Sequence, residues 1–353
     1  MDSHDHSCCE HAGHEGHGEH KKPWRRDPLF LTLGAITLLM LASYFFLFLV
    51  HFRHSFLDYA KIMAWPIGLG FLIGGVIDYY IPREYISKIL AQKKKRTVFY
   101  AIGLGFLASA CSHGVIALSM ELHKKGASGP AVVSFLLASP WASLPITFLL
   151  IGFFGAKAFV IIGSALFVAL TTGLVFQVLD QKGWIEKNKY SVTVAGDFSI
   201  RQDLVKRFRE YRFSMTQGLQ DVQGVLKGMG ALAQMVLWWI LIGMVLASLA
   251  SAFVPANIFH RFLGPTLVGL LITIALAAVL EVCSEGTSPL AFEIYRQTGA
   301  LGNAFAFLMG GVVTDYTEIG LVWMNLGKRT ALWMLVLTIP QVLLLGWIFN
   351  TLF

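Results

Sequence analysis

Charge is scarce in this sequence: Asp, Glu, Lys and Arg make up 14% of its 353 residues, against 56% hydrophobic. A soluble domain carries about a quarter of its residues charged, so that class is excluded. Cysteine is scarcer still, four residues in all, and two of them, Cys8 and Cys9, are adjacent, which excludes a disulfide framework. Signatures of several chemistries are missing. No Gly-x-x-x-x-Gly-Lys-Ser/Thr loop is present, so nothing points to direct drive by a nucleotide. No His-Glu-x-x-His or Gly-x-Ser-x-Gly pattern marks an intramembrane enzyme. A cleavable leader is missing too: the first 28 residues are polar and the first apolar run is too long for a leader, so the first helix is expected to be retained. The net charge of +7 sits largely in loop Lys and Arg, which orient a protein at an anionic leaflet and do not form a nucleic-acid surface.

What is present is long apolar runs, near 29–50, 62–81, 98–121, 130–151, 158–179, 229–254, 265–293, 304–324 and 331–352. About 20 helical residues cross a hydrocarbon core, and an open β-edge cannot face lipid, so these are helices. The chain reads as an all-α polytopic membrane protein.

Two of the runs carry a polar motif at their middle. Ala110-Cys111-Ser112-His113-Gly114 recurs as Val282-Cys283-Ser284-Glu285-Gly286. The agreement continues outward: Trp65, Gly70, Pro82 and Leu90 align with Trp238, Gly243, Pro255 and Leu263, Glu121 aligns with Glu293, and Gly126, Ala127 and Ala131 align with Gly299, Ala300 and Ala304. The chain is therefore an internal duplication. It divides into a polar tail (1–28), an extra N-terminal helix with its loop (29–61), repeat 1 (62–179), a basic linker (180–234) and repeat 2 (235–353).

Loop charge sets the topology, because Lys and Arg favour the cytoplasmic side. Lys21, Lys22, Arg25 and Arg26 place the amino terminus inside, the loop from His51 to Lys61 lies outside, and the loop with Arg83 to Arg96 lies inside. If 98–121 crossed straight, Lys124, Lys125 and the basic linker would face outward against the rule. If it enters and returns, every basic loop becomes cytoplasmic and the carboxyl terminus of this bacterial inner (plasma) membrane protein is expected on the periplasmic or extracellular side. Each repeat then holds three crossings and one re-entrant helical hairpin, and the odd number of crossings inverts repeat 2 relative to repeat 1. The hairpin tips meet near the midplane, as in inverted-repeat transporters. The rival arrangement is nine straight spans with a parallel repeat.

Residues at the tips define a candidate substrate site: Cys111, Ser112, His113, Cys283, Ser284 and Glu285. Half-helices beginning near Gly114 and Gly286 would direct positive dipole ends at the two thiols and favour thiolate. Two sulfurs, one imidazole and one carboxylate suit a four-coordinate Zn²⁺ or similar ion, and two thiols suit a trivalent metalloid or Hg²⁺. Free cysteine also packs as a small hydrophobe, but duplication with a polar residue two places on favours a site. Asp315 and Glu318, three apart on one helix face, together with Glu281 and Asp78, are candidate proton-relay or counter-ion groups, since carboxylates in hydrocarbon are costly. Glu121 and Glu293 are read as caps of the hairpin ends. The nine Trp and most Tyr are read as interfacial anchors.

The tail concentrates His4, His6, Cys8, Cys9, His11, His14, His17 and His20 among glycines, a flexible ligand set for Zn²⁺, Cu⁺ or Ni²⁺. A cytosolic metallochaperone is the partner such a tail would meet, beside the ion and the bilayer.

The double Cys-Ser motif, each copy followed by a polar residue and Gly, with the loop Lys125-Gly126-Ala127-Ser128, resembles the bacterial predicted-permease family that includes the organoarsenical efflux permease ArsP and copper or zinc efflux relatives. The resemblance spans most of residues 60–350 and implies an efflux permease. In that family the motif reads Cys-Ser-Cys; His113 and Glu285 stand here in the third position, which favours an ion accepting mixed sulfur, nitrogen and oxygen ligands. The expectation is a secondary transporter, not an enzyme, without a resident cofactor, that exports a soft or borderline heavy metal. The alternatives are export of trivalent or methylated arsenicals, and a membrane-anchored metal sensor or metallochaperone dock.

Overall fold

A computed structural model describes residues 28–46, 49–80, 96–105, 112–124, 126–188, 215–280 and 284–353. Among the described residues the chain is helical without a strand. The helices are α1 (Pro28–Phe45), α2 (Val50–Tyr80), α3 (Thr97–Gly105), α4 (Ser112–Lys124), α5 (Gly129–Ala142), α6 (Leu144–Phe154), α7 (Lys157–Gln181), α8 (Met215–Phe253), α9 (Ala256–Leu263), α10 (Leu267–Leu280), α11 (Ser284–Thr298), α12 (Leu301–Val313), α13 (Tyr316–Asn325) and α14 (Lys328–Leu352). Five stretches are long and apolar enough to cross a membrane, within α2, α7, α8, α12–α13 and α14, and seven if the bent pairs α5–α6 (49°) and α9–α10 (103°) each count as one.

The duplication recurs in the element order. The helices α2, α3, α4, α5, α6 and α7 are followed in the same sequence by α8, α10, α11, α12, α13 and α14, with α1 as an addition; the equivalent of the short amphipathic α9 falls outside the described residues. The turns before α5 and α12 need left-handed backbone at Gly126 (φ 96°) and Gly299 (φ 68°), which glycine adopts without steric cost.

Equivalent long helices run in opposite directions. Ser55 of α2 meets Ser251 of α8 at 3.1 Å, whereas Tyr79 donates to Asp221 at 3.0 Å. In the same way Lys157 at the start of α7 lies over the ring of Phe353 after α14, and Gln341 donates to Thr172 further along. One end of the bundle thus gathers Ser55, Ser251, Lys157 and Phe353, and the other gathers Tyr79, Asp221 and the start of α14.

Three readings change. The stretch from His51 to Lys61, expected as a loop, is helical and opens α2. The apolar runs 130–151 and 304–324, expected as single crossing helices, each break, at Ser143 and at Thr314–Asp315. Trp141 is fully buried and no interfacial anchor.

The linker after α7 begins as a clamp. Trp184 stacks on Trp333, and Asn188 Nδ2 donates to the carbonyls of His123 and Ala127, both at 2.7 Å. Glu186 accepts from the backbone N–H groups of Arg329 and Thr330, each at 3.0 Å, and from the Thr330 hydroxyl at 3.1 Å. It therefore satisfies the free N–H groups that open α14 and favours the helix dipole. Burial alone would raise the Glu186 carboxyl, but the hydrogen bonds from Arg329, its own amide and Thr330 hold it below the ordinary carboxylate range. A group depressed on folding stabilises above its unfolded pKa, near 4.3, and loses that contribution as pH falls through the lower folded value. Glu186→Gln is expected to melt earlier than wild type at neutral pH, by the roughly 0.3–1 kcal/mol of a charge at a helix end. The difference should close as the buffer is taken below about pH 4; melting curves in detergent that stay apart there would refute this role.

Candidate functional site

Contacts along α5 and α12 give the form of the two motif regions. A Cβ built on Gly105 of α3 would lie 3.2 Å from Ala142 Cβ of α5, while Val98 reaches Gly173 beside Ser134, so α3 runs parallel to α5. Helix α4 returns against α5 through the Gly126 turn. In repeat 2, Asn303 donates to Thr273 at 3.0 Å, and a Cβ on Gly310 would meet Ala277 at 3.5 Å, so α10 runs parallel to α12. Helix α11 returns, with Thr287 Cγ2 3.5 Å from the same probe on Gly311. The open end of α3/α4 lies at the Glu186 end of the bundle, through Asn188. That of α10/α11 lies at the opposite end, where Tyr295 accepts from Lys157 at 2.7 Å and packs on Phe154.

Four helices therefore begin inside the bundle: α4 at Ser112, α6 at Leu144, α11 at Ser284 and α13 at Tyr316. The two motif half-helices start two residues earlier than expected. At α11 the polar residues are buried together: Ser284 Oγ donates to Glu285 Oε2 at 3.0 Å, and Thr287 and Ser288 donate to the Ser284 carbonyl at 3.0 and 2.9 Å. Glu285 is 3% exposed. Asp315 and Glu318 do not both lie within one helix as expected. Asp315 is the N-cap of α13, with Oδ1 accepting from the N–H of Thr317 (2.7 Å) and of Glu318 (3.2 Å), and Glu318 is the third helical residue, 2% exposed. The carboxylates of Asp315 and Glu285 lie within electrostatic reach of Glu318.

Cys111, Glu281, Cys283 and the tail ligands lie outside the described residues, as do the side chains of Asp78, Glu121, Ser112 and His113. Among the described residues no three His, Cys, Asp or Glu converge to hold a metal ion. Ser139 and Trp141, not singled out as site residues from sequence, stand at the breaks, as does Glu318, which was. Ser139 Oγ and Trp141 Nε1 near the α5–α6 break, and Glu318 Oε2 near the α12–α13 break, are buried without a hydrogen-bond partner. A Ser, Trp or Glu inside an apolar run was the available signal.

Glu293 does not cap the hairpin end as expected. It is fully buried and its oxygens accept from Tyr59 Oη of α2, Arg296 Nε (2.9 Å), Arg296 Nη2 (3.1 Å) and Gln297 Nε2 (2.6 Å). Arg296 also donates to Ser251 at 2.7 Å, and Phe292 stacks on Phe153 beside Tyr59. This latch ties α11 to α2 and α8. Next to it, an apolar cavity of about 440 Å³ is lined by residues of α8 to α12, with Glu293 its single charged group.

The halves are not placed alike. Helix α11 packs along α8, and α6 packs along α2, whereas the equivalent pairs α4 with α2 and α13 with α8 have no comparable contact among the described residues. Tyr316 and Met324 of α13 are exposed accordingly.

A duplicated helical membrane protein with helices that start inside the bundle is the architecture of a permease. Residues 50–227 and 221–353 match the model of the ArsP_1 family, described as "predicted permease", and the chain belongs to that family. The UPF0718 protein YcgR of Bacillus subtilis is 23% identical over 283 residues, 79% of this chain and 89% of that protein. A Streptococcus mutans protein, named as a candidate subunit of a two-component membrane permease complex, is 21% identical over 255 residues, 71% of this chain and 79% of its own. No solved structure matches the chain.

Proposed function

We propose that this permease exports a soft or borderline heavy-metal ion of the Zn, Cu or Hg class across the bacterial inner membrane. The ion passes by alternating access through a central site of Cys111, His113, Cys283 and Glu285, with Ser112 and Ser284 holding the ligands. The observation that carries this reading is that the two motif half-helices, α4 and α11, start inside the bundle from hairpins whose open ends lie at opposite ends of it. The opposed directions of α2 against α8 and of α7 against α14 support two inverted repeats, and the unequal placing of α4 and α11 supports one of two alternate states. The end with Lys182, Lys328 and Arg329 is the cytoplasmic one on the charge rule, and the latch then closes the outer side. The His- and Cys-rich tail collects the ion.

Everted membrane vesicles test this by uptake of Zn²⁺, Cu⁺, Hg²⁺, arsenite and methylarsenite. Cys111→Ser and Cys283→Ser are each expected to cut uptake of the transported species by at least the roughly 10–100-fold that even outer-shell changes cost a metal site. Deletion of residues 1–20 should leave flux in place. Uptake confined to arsenite or methylarsenite would assign an arsenical exporter. Flux that survives both serines, or ends with the tail, would overturn the central site.

A further inference from the structure

One carboxylate oxygen of Glu318, Oε2, is buried without a hydrogen-bond partner. The neighbouring carboxylates have theirs: Asp315 caps α13, and Glu285 accepts from Ser284. An N-terminal Asp-x-x-Glu pattern can form a capping box, with the Glu reaching back to the cap N–H, yet Oε2 of Glu318 has no hydrogen-bond partner. The duplicate half-helix supplies the comparison. Helix α6 also follows a buried break, with Ser143 at its N-cap and Ile146 as its third residue, fully buried. A hydrocarbon therefore satisfies this position where only packing is required.

A buried ionised carboxylate without a partner is costly, and a second and third carboxylate nearby add repulsion. Among the described residues the charged groups acting on Glu318 are Asp315 on its own helix and Glu285 on α11; α12, α4 with His113, Glu121, His123 and Lys124, and α14 with Lys328 and Arg329 also pack on α13. Binding a cation relieves this, and a proton is the cation that a single carboxylate holds by itself.

We propose that Glu318 is the proton-binding group through which this permease is coupled to the proton gradient. In each cycle Glu318 takes up a proton from the outer side and releases it to the cytosol, as the metal ion moves the other way. The direction of exchange rests on the export reading; the proton site itself does not.

The test uses the full-length purified protein in two arms. Infrared difference spectra across a pH titration are expected to show a protonated-carboxyl C=O band in wild type that is lost in Glu318→Gln. In proteoliposomes with an entrapped pH dye, metal flux should move protons in wild type, and this counterflow should vanish in Glu318→Gln. Glu318→Ile, which copies Ile146, guards against misfolding: it should melt at or above the wild-type temperature and also lack the band. A band unchanged in Glu318→Gln, or proton counterflow that persists in it, overturns the proposal. A wild type that moves no metal but loses the band with Glu318→Gln supports the proton site and overturns the export reading instead.

Discussion

Glu293→Ala is expected to destabilise the protein by about 3–5 kcal/mol, the cost of removing one partner of a buried charge pair. The carboxylate is fully buried and receives donors from three residues on two helices, so its loss leaves the Tyr59 hydroxyl and the Gln297 amide without an acceptor. Arg296, whose side chain is 40% exposed, can turn to water, which places the loss toward the lower figure. Tyr59→Phe removes one hydrogen bond and should cost about 1 kcal/mol. Because α11 borders an apolar cavity of about 440 Å³, releasing the latch also gives the hairpin room to shift. Thermal unfolding in detergent checks the first effect, and a double-mutant cycle of Tyr59 and Glu293 isolates the coupling. A Glu293→Ala loss under about 1 kcal/mol, the range of an exposed pair, would mean that the latch does not hold the carboxyl-terminal end of α11.

The duplication was legible because the motif residues and the glycines of close contact recur: Cys-Ser, Gly126 with Gly299, Gly70 with Gly243. Loop charge is the sequence's argument for hairpins, since only a returning segment keeps Lys124 with the other basic residues. The helix breaks were not, because an apolar run looks alike whether it is one helix or two. Local signals did mark them. Ser143 followed by Pro145 is a helix start by the rule of a polar cap before an early proline, and Asp315-x-x-Glu318 is a capping-box pattern that was read as two groups on one face. The Glu293 latch escaped because its acceptor and its donor Tyr59 lie 234 residues apart, and a pairing that distant leaves no local pattern. The amphipathic α9, with Phe259 and Leu263 buried and His260 and Arg261 turned out, is too short for a search tuned to spans.

Gly243→Ala is expected to abolish transport with the fold retained. A Cβ on Gly243 would lie 2.0 Å from the Gly286 carbonyl oxygen, 2.8 Å from its carbon and 2.9 Å from its Cα. All three are backbone atoms at the first turn of α11, so no side chain can rotate away, and the start of the hairpin's returning helix has to move off α8. That turn carries Ser284 and Glu285 and directly follows Cys283. Overpacking of this kind costs about 1–3 kcal/mol, which a protein of this size survives, whereas a misplacement of about 1 Å at a site costs on the order of 100-fold in its chemistry. Gly70, the equivalent of Gly243, is equally tight, with its probe 2.7 Å from Pro145 Cα, but it meets α6 and not a motif helix. Gly70→Ala should therefore lower stability comparably and leave metal binding at the hairpin tips in place. Gly163→Ala, with nothing within 4 Å, serves as the neutral control and should gain the few tenths to 1 kcal/mol of replacing helical glycine. Metal affinity by equilibrium dialysis, read beside the melting temperature of all three variants, separates the outcomes. Gly243→Ala that binds metal as wild type does would detach the α11 start from the substrate site, and the case for Glu285 as a ligand would fail with it.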